Sequence, residues 1–329
     1  MNGARRVLAC AALCILSWCG ACAGLTGRED SNAGREARSP KANMNVVETD
    51  TQDCLGRFRF VVPGAFGVAG RRQSIYRVDV STLALPDGGI EALWHERLAH
   101  IRALPPPRGA AHPIIKTFEL QPGVNAVWYF ANPDDDEEHC LEALKSQGGH
   151  AVLASRRGMA GKESTVETLV KGVLDAYVPG TERGFCVGAG SITSEPGLNE
   201  HTGISLEHRR MPKFEVEITT RTVKEPDTST YSDLEEERQV TAGLGGTVEE
   251  LRNRPRVVAG LEGKEIWAAA DVPDEPPFVR FTWHFPGVPE DSSRPAIDIK
   301  GAAPRSSQAE LEAVWETVLR SFRPIPPAN

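Results

Sequence analysis

The chain carries eight histidines and seven cysteines in 329 residues, and their spacing decides which chemistry they can perform. There is no HExxH or HxH pair. His95 and His100 lie five residues apart on a helical stretch, a rotation that turns them away from one shared ion. The segment Gly188-Ala189-Gly190-Ser191-Ile192 looks like a nucleophile elbow, but that turn needs glycine two residues to either side of the serine. Ala189 and Thr193 occupy those places. Beyond Cys22 there is no CxxC motif and no Cys/His cluster, so a structural zinc ion has no ligand set. No catalytic residues, metal or cofactor are expected, and an enzyme is not the favoured reading.

The remaining candidates are surfaces. Asp134, Asp135, Asp136, Glu137 and Glu138 form the strongest charge block. A calcium loop alternates its ligands and carries a turn glycine, whereas this run is contiguous and ends in His139-Cys140. It reads as a solvated loop, or as an acidic contact that speeds association with a basic partner. The stretch 278–285 carries the densest aromatics. It reads as a strand filling its own core; if exposed, Trp283 and Phe285 are the anchors a partner would use.

The N-terminus carries an export signal. Arg5 and Arg6 precede an apolar run over 7–18, shorter than the ~20 residues that span a bilayer, and Gly20-Ala21 lead into Cys22. Residues 1–21 are read as a signal peptide and Cys22 as a lipidated residue. A plain cut after Ala23 is the alternative, since Cys19 stands where a Leu-like residue is usual. Ala23 fits sorting to the outer membrane, so the expected location is the periplasm, with membrane contact through this anchor. Residues 22–48 are polar and suit a flexible tether.

Lys plus Arg number 37 against 45 Asp plus Glu, a net charge of -8. Such a surface repels phosphate backbones, which excludes nucleic acid. In the folded part only Cys54, Cys140 and Cys186 remain. An oxidising compartment allows one pair; Cys54 with Cys140 is expected because both lie in the first half, with three buried thiols as the alternative.

The elements that must position these residues occur twice. Cys54-Leu55-Gly56 followed by a strand through Phe58, Phe60 and Val62 is answered by Cys186-Val187-Gly188 and Ser191-Ile192. Alternation predicts strands over 76–80 and 214–218. A helix over 90–104, stopped by Pro105, is matched by a charged one over 232–238 that continues through 247–252 before Pro255. Strands over 116–120, 126–130 and 151–155 correspond to 256–259, 265–269 and 296–299. Both halves close on an amphipathic helix, 164–177 and 308–322, each followed by proline. The fold class is therefore α+β: two similar domains, 49–180 and 181–329, each an antiparallel sheet with helices packed on one face.

Cys54-Leu55-Gly56-Arg57-Phe58, the helix ending at Pro179, Gly184-Phe185-Cys186-Val187-Gly188, Phe281-Thr282-Trp283-His284-Phe285-Pro286-Gly287 and Arg294-Pro295-Ala296-Ile297 together resemble the two-domain immunity proteins that neutralise type VI secretion lipase effectors of the fourth family. The resemblance spans roughly 49–329. It implies a periplasmic, often lipid-anchored protein that binds and inhibits a phospholipase effector by gripping it near its lid. No catalytic residue carries over. The alternative is an envelope lipoprotein binding a small molecule or glycan in the cleft between the domains.

Overall fold

The computed structural model describes residues 49–193, 199–228, 235 and 238–328. The expected signal peptide, Cys22 and the tether lie outside them. The described residues fall within one compact unit.

The repeated order of elements is visible throughout. The first half runs β1 (Thr51–Leu55), β2 (Phe58–Val62), β3 (Phe66–Ile75), β4 (Val78–Ala84), α1 (Gly89–Arg102), β5 (Ile114–Gln121), β6 (Val124–Asn132), β7 (Asp135–Gln147), β8 (His150–Met159), α2 (Glu163–Ala176) and β9 (Tyr177–Pro179). The second runs β10 (Phe185–Val187), β11 (Gly190–Ile192), β12 (His201–His208), β13 (Glu215–Arg221), β14 (Thr247–Val258), β15 (Leu261–Asp271), β16 (Phe278–Phe285), β17 (Ala296–Pro304), a 3-10 turn at Arg305–Ser307, α3 (Gln308–Ser321) and β18 (Arg323–Pro324). One antiparallel sheet of twelve strands joins the halves, in the order β14-β15-β16-β17-β13-β12-β3-β4-β8-β7-β6-β5. At its centre the corresponding strands β3 and β12 pair antiparallel.

Each half buries a closing helix against the sheet. On α2 the apolar stripe is Val166, Val170, Val173 and Leu174; on α3 it is Leu311, Val314, Trp315, Val318 and Leu319. Spacings of three and four keep each stripe on one side of the helix. Both helices leave through an extended C-cap, Tyr177 and Phe322, one residue before a dipeptide ending in proline. The α1 helix takes the other face of the first half. Its Arg97 forks onto Glu142 at 2.9 and 2.7 Å, while the flanking Leu141 and Ala143 of β7 point to the α2 side.

The two cores do not follow chain order. Leu55, Phe58, Phe60 and Val62, from the start of the first half, pack with Phe281, Trp283, Ile299 and Trp315 of the second. Reciprocally, Phe185, Val187 and Ile192 pack with Val80, Trp128, Val152 and Leu174 of the first. Each short hairpin also pairs with the other half's closing strand: β2 with β18, and β11 with β9. The expected boundary at 180 and 181 divides the repeated order of elements, whereas packing exchanges the opening hairpins across it. Full burial of an aromatic such as Phe58 or Phe60 stabilises by about 1.5–3 kcal/mol, so the exchange holds the halves together strongly.

Three expected elements differ. Residues 247–252, expected to continue a helix, form the start of the edge strand β14, paired with β15 over its length. An edge strand exposes one side to water and so tolerates the Glu and Arg content that imitates a helix. Helix is present at 235 and 238–243; the other residues of the expected 232–238 helix lie outside the described residues. The strand expected at 76–80 begins at Val78, because Tyr76 and Arg77 have φ of 54° and 62° and form the two-residue turn that a right-handed hairpin twist favours. The acidic run is not a loop. Asp134 sits in the turn, while Asp135, Asp136, Glu137 and Glu138 begin β7, where the β6–β7 ladder extends out to Asn132 and Asp135.

Candidate functional site

Next to the seam between the halves, where β3 joins β12, the sheet parts at the Tyr76-Arg77 turn. Only Ser74 with Asp79 and Ile75 with Val78 pair across it. Beyond those pairs β3 runs with β12 from Phe66 to Ser74, and β4 runs with β8 from Asp79 to Ala84. The sheet therefore parts between β3 and β4, leaving Gly67, Val68, Ala69, Gly70 and Arg72 without a strand neighbour on that side. Val68 is 47% exposed there.

Polar and covalent ties close the seam from within. A disulfide joins Cys54 to Cys186, which replaces the expected Cys54–Cys140 pair. Cys140 is buried on β7, inside one sheet, whereas hairpin exchange carries Cys186 to Cys54. The Cys186 N–H donates to the Gly56 carbonyl at 2.7 Å, and Gln73 Nε2 donates to the Cys186 carbonyl at 2.5 Å. Arg57 is buried and donates to Glu200 twice, Nε to Oε2 at 2.8 Å and Nη2 to Oε1 at 2.6 Å. Arg71 spans to the Cys54 carbonyl at 2.7 Å and to Asp53 at 2.5 Å. The repeated Cys-x-Gly has a physical reason. Gly56 and Gly188 have φ of 56° and 54°, and an added Cβ would meet Thr202 at 2.8 Å and Thr82 at 2.0 Å respectively.

Around the turn the seam is cationic. Arg72 faces Asp79 at 3.5 Å, and Arg221 pairs with Asp227. Burial, followed by the charges of Arg72 and Arg221, lowers the His201 pKa. Arg156 of β8 donates from Nη1 to the Tyr76 carbonyl. Its pKa is lowered by burial and then by the neighbouring Arg77. Sequence reasoning missed Arg57, Glu200, Arg77 and Arg156. The doubled Cys-x-Gly was the available signal for the first two, and nothing local marked the others.

Among the described residues one carboxylate–imidazole cluster has metal-like spacing: Asp227, His284 and Asp298, with ligand atoms within 4.8 Å. Its hydrogen bonds argue against a metal. His284 Nδ1 faces Asp298 Oδ1 at 2.9 Å and Nε2 faces the Asp227 carbonyl at 2.8 Å, so both nitrogens meet acceptors and both must carry protons. Burial opposes the charge, but the Asp298 hydrogen bond and charge outweigh it and raise the His284 pKa. The cluster is an ionic latch holding the segment after β13 against the sheet. A second network centres on buried Glu265, which accepts from Arg254 at 2.7 Å, Arg256 at 2.5 Å and Trp315 Nε1 at 2.9 Å. Arg256 also forks onto Glu316, at 2.8 Å on both arms.

The sequence candidates fall in different places. Trp283 is fully buried, with Nε1 donating to the Arg256 carbonyl at 3.0 Å, and Phe285 is 9% exposed in the same core. Neither presents a surface, so their expected role as partner anchors is withdrawn. Asp134, Asp136 and Glu137 are exposed at the β6–β7 end, while Glu138 is engaged by Arg157 at 3.1 Å.

The seam and its exchanged hairpins define a duplicated α+β protein held as one body. Residues 178–327 match the family model described as the Tle cognate immunity protein 4 C-terminal domain. The fold is similar to the crystal structure of a Tle4–Tli4 complex, with a TM-score of 0.68 and 15% identity over 86% of this chain and 100% of that one. It is also similar to the apo structure of the type VI immunity protein TplEi from Pseudomonas aeruginosa, with a TM-score of 0.66 and 16% identity over 84% and 98%. A structure of TplEi with an "L" peptide matches with a TM-score of 0.62 and 16% identity. At these identities the structural likeness shows the fold. No curated protein matches the sequence.

Proposed function

We propose that this protein is a periplasmic immunity protein, tethered to the outer membrane through lipidated Cys22, that binds a type VI phospholipase effector and blocks it near its lid without catalysing a reaction itself. The observation that carries this reading is the match of residues 178–327 to an immunity-protein domain, supported by a fold similar to a chain crystallised in a Tle4–Tli4 complex. The rigid seam suits the role. Two halves fixed by a disulfide and a buried ion pair meet a partner without ordering themselves on binding, which lowers the entropic cost of association. A body of this size presents the 1,200–2,000 Å² or so that a stable interface needs. Asp134, Asp136 and Glu137, exposed at one sheet end, supply an acidic contact for a basic patch on the effector.

The test is co-purification with a candidate type VI phospholipase effector, followed by hydrolysis of phospholipid vesicles. An equimolar amount of the protein should abolish hydrolysis, and the protein alone should release no fatty acid. Undiminished hydrolysis in the presence of a molar excess rejects the proposal.

A further inference from the structure

We propose that Arg77 and Arg156, at the β3–β4 turn where the sheet parts, receive a carboxylate-bearing segment of a protein partner. The inference rests on the reading that this chain binds a protein. Its observations are local. Four arginines near the part in the sheet have carboxylates: Arg57 has Glu200, Arg71 has Asp53, Arg72 has Asp79 and Arg221 has Asp227, while Arg59 and Arg209 donate to backbone carbonyls. Among the described residues Arg77 and Arg156 have no carboxylate within ion-pair distance, although acidic residues outnumber basic ones by 45 to 37 in this chain.

The fixed geometry sharpens the point. Arg156 Nη1 is held by the Tyr76 carbonyl, which aligns the guanidinium at the turn, while its Nε is buried with no hydrogen-bond partner. Arg77 is exposed on the same turn, close enough for its charge to disfavour protonated Arg156. Two neighbouring guanidiniums without an anion are electrostatically unsatisfied. A carboxylate placed beside them removes the repulsion through charge-assisted hydrogen bonds to the accessible guanidinium nitrogens. The flanking β3 residues, Val68 to Arg72, lack a strand neighbour on this side, so an extended acidic segment has room to lie along the part in the sheet.

A protein segment fits better than a membrane surface. Anionic bilayers recruit clusters of about four to eight basic residues, whereas this is a pair set in a body of net charge -8.

The test uses the ¹⁵N-labelled chain from residue 22 to 329 with Cys22 replaced by serine, titrated with hexaglutamate at low salt. Hexalysine and phosphatidylglycerol vesicles form the comparison arms. The Nε–Hε resonances of Arg77 and Arg156 should shift in a saturable way and return at 0.5 M salt, while that of Arg157, already paired, should not move. Arg77→Gln, an exposed change that leaves the fold intact by its melting temperature, should weaken the titration at least threefold. The proposal is overturned if hexaglutamate moves neither resonance, if Arg77→Gln binds as tightly as the parent, or if vesicles shift the two resonances and the peptide does not. The titration contains no lipase, so its outcome is independent of the inhibition assay.

Discussion

Cys54 and Cys186 hold the same place in the two halves and are bonded to each other, with Cα atoms 6.1 Å apart across a sequence separation of 132 residues. The bond ties the two exchanged hairpins where each crosses to the other core. A cross-link closing so long a loop restricts the unfolded chain strongly, which sets an expected stabilisation of about 2–5 kcal/mol. Cys54→Ser with Cys186→Ser should lower the melting temperature by that equivalent, and reductant should reproduce the loss in the parent. Cys140→Ser should leave the response to reductant unchanged.

The Arg57–Glu200 pair lies beside that bond, with side-chain exposures of 8% and 6%. Removing one member strands a buried charge, so Glu200→Ala should cost about 3–5 kcal/mol in a denaturant titration. Replacing both by apolar residues of similar size, Arg57→Met with Glu200→Leu, should recover most of the loss. A double variant as unstable as the single one would show that the pair's contribution is not charge compensation.

Much of this fold is legible in the residues. The alternation in 296–299, the stripes of α2 and α3 and the doubled Cys-x-Gly all read directly, because each is a local pattern with one physical solution. What stays hidden is non-local. Nothing near Cys54 states that its partner is Cys186 rather than Cys140, since that depends on hairpins crossing between halves. The reading of 278–285 as a strand filling its own core holds for Trp283 and Phe285, but nothing local names α3 as the element that packs on that side. The Arg77–Arg156 pair joins residues from β8 and a turn far apart in sequence, so no window contains both. Edge strand β14 misleads because its composition answers to solvent, not to its hydrogen-bond ladder.

The His284 latch makes stability depend on pH in a defined direction. Asp298 of β17 and the carbonyl of Asp227 face the two ring nitrogens, and Lys264 of β15 lies opposite His284 in the ladder. The folded pKa is raised above its ordinary value of 6.5. The latch therefore stabilises fully below about pH 6.5 and loses that contribution as pH rises through the folded pKa. Melting temperature in the parent should fall across that alkaline window. His284→Asn should flatten the dependence while costing about 2 kcal/mol at pH 6 through lost charged hydrogen bonds. An unchanged slope in His284→Asn would assign the dependence to another group.

Glu265 predicts the opposite limb. Burial pushes its pKa up, but donation from Trp315, Arg254 and Arg256 outweighs burial and holds it below the ordinary carboxylate value. Its contribution is present above about pH 4.5 and fades as pH falls through the lower folded pKa. Glu265→Gln keeps the volume yet supplies a poorer acceptor to Arg256 and places an amide among cations, so a loss of about 3 kcal/mol is expected at neutral pH. The loss should shrink towards pH 3, where the parent carboxylate is itself protonated. Chemical denaturation at pH 7 and pH 3 measures both values.

The acidic end of β6–β7 yields a kinetic prediction. Asp136 and Glu137 are exposed and lie at a strand end, so their substitution leaves the core untouched, whereas Glu138 is paired with Arg157. Charges at an interface rim act mainly on the encounter, through a field that salt screens over about 8–10 Å. If these residues meet a basic surface of the effector, Asp136→Lys with Glu137→Lys should slow association about tenfold at low ionic strength. Dissociation should change little, and the difference should vanish in about 0.5 M salt. Surface plasmon resonance against the immobilised lipase separates the two rates. Equal association rates at low salt would remove this end of the molecule from the contact.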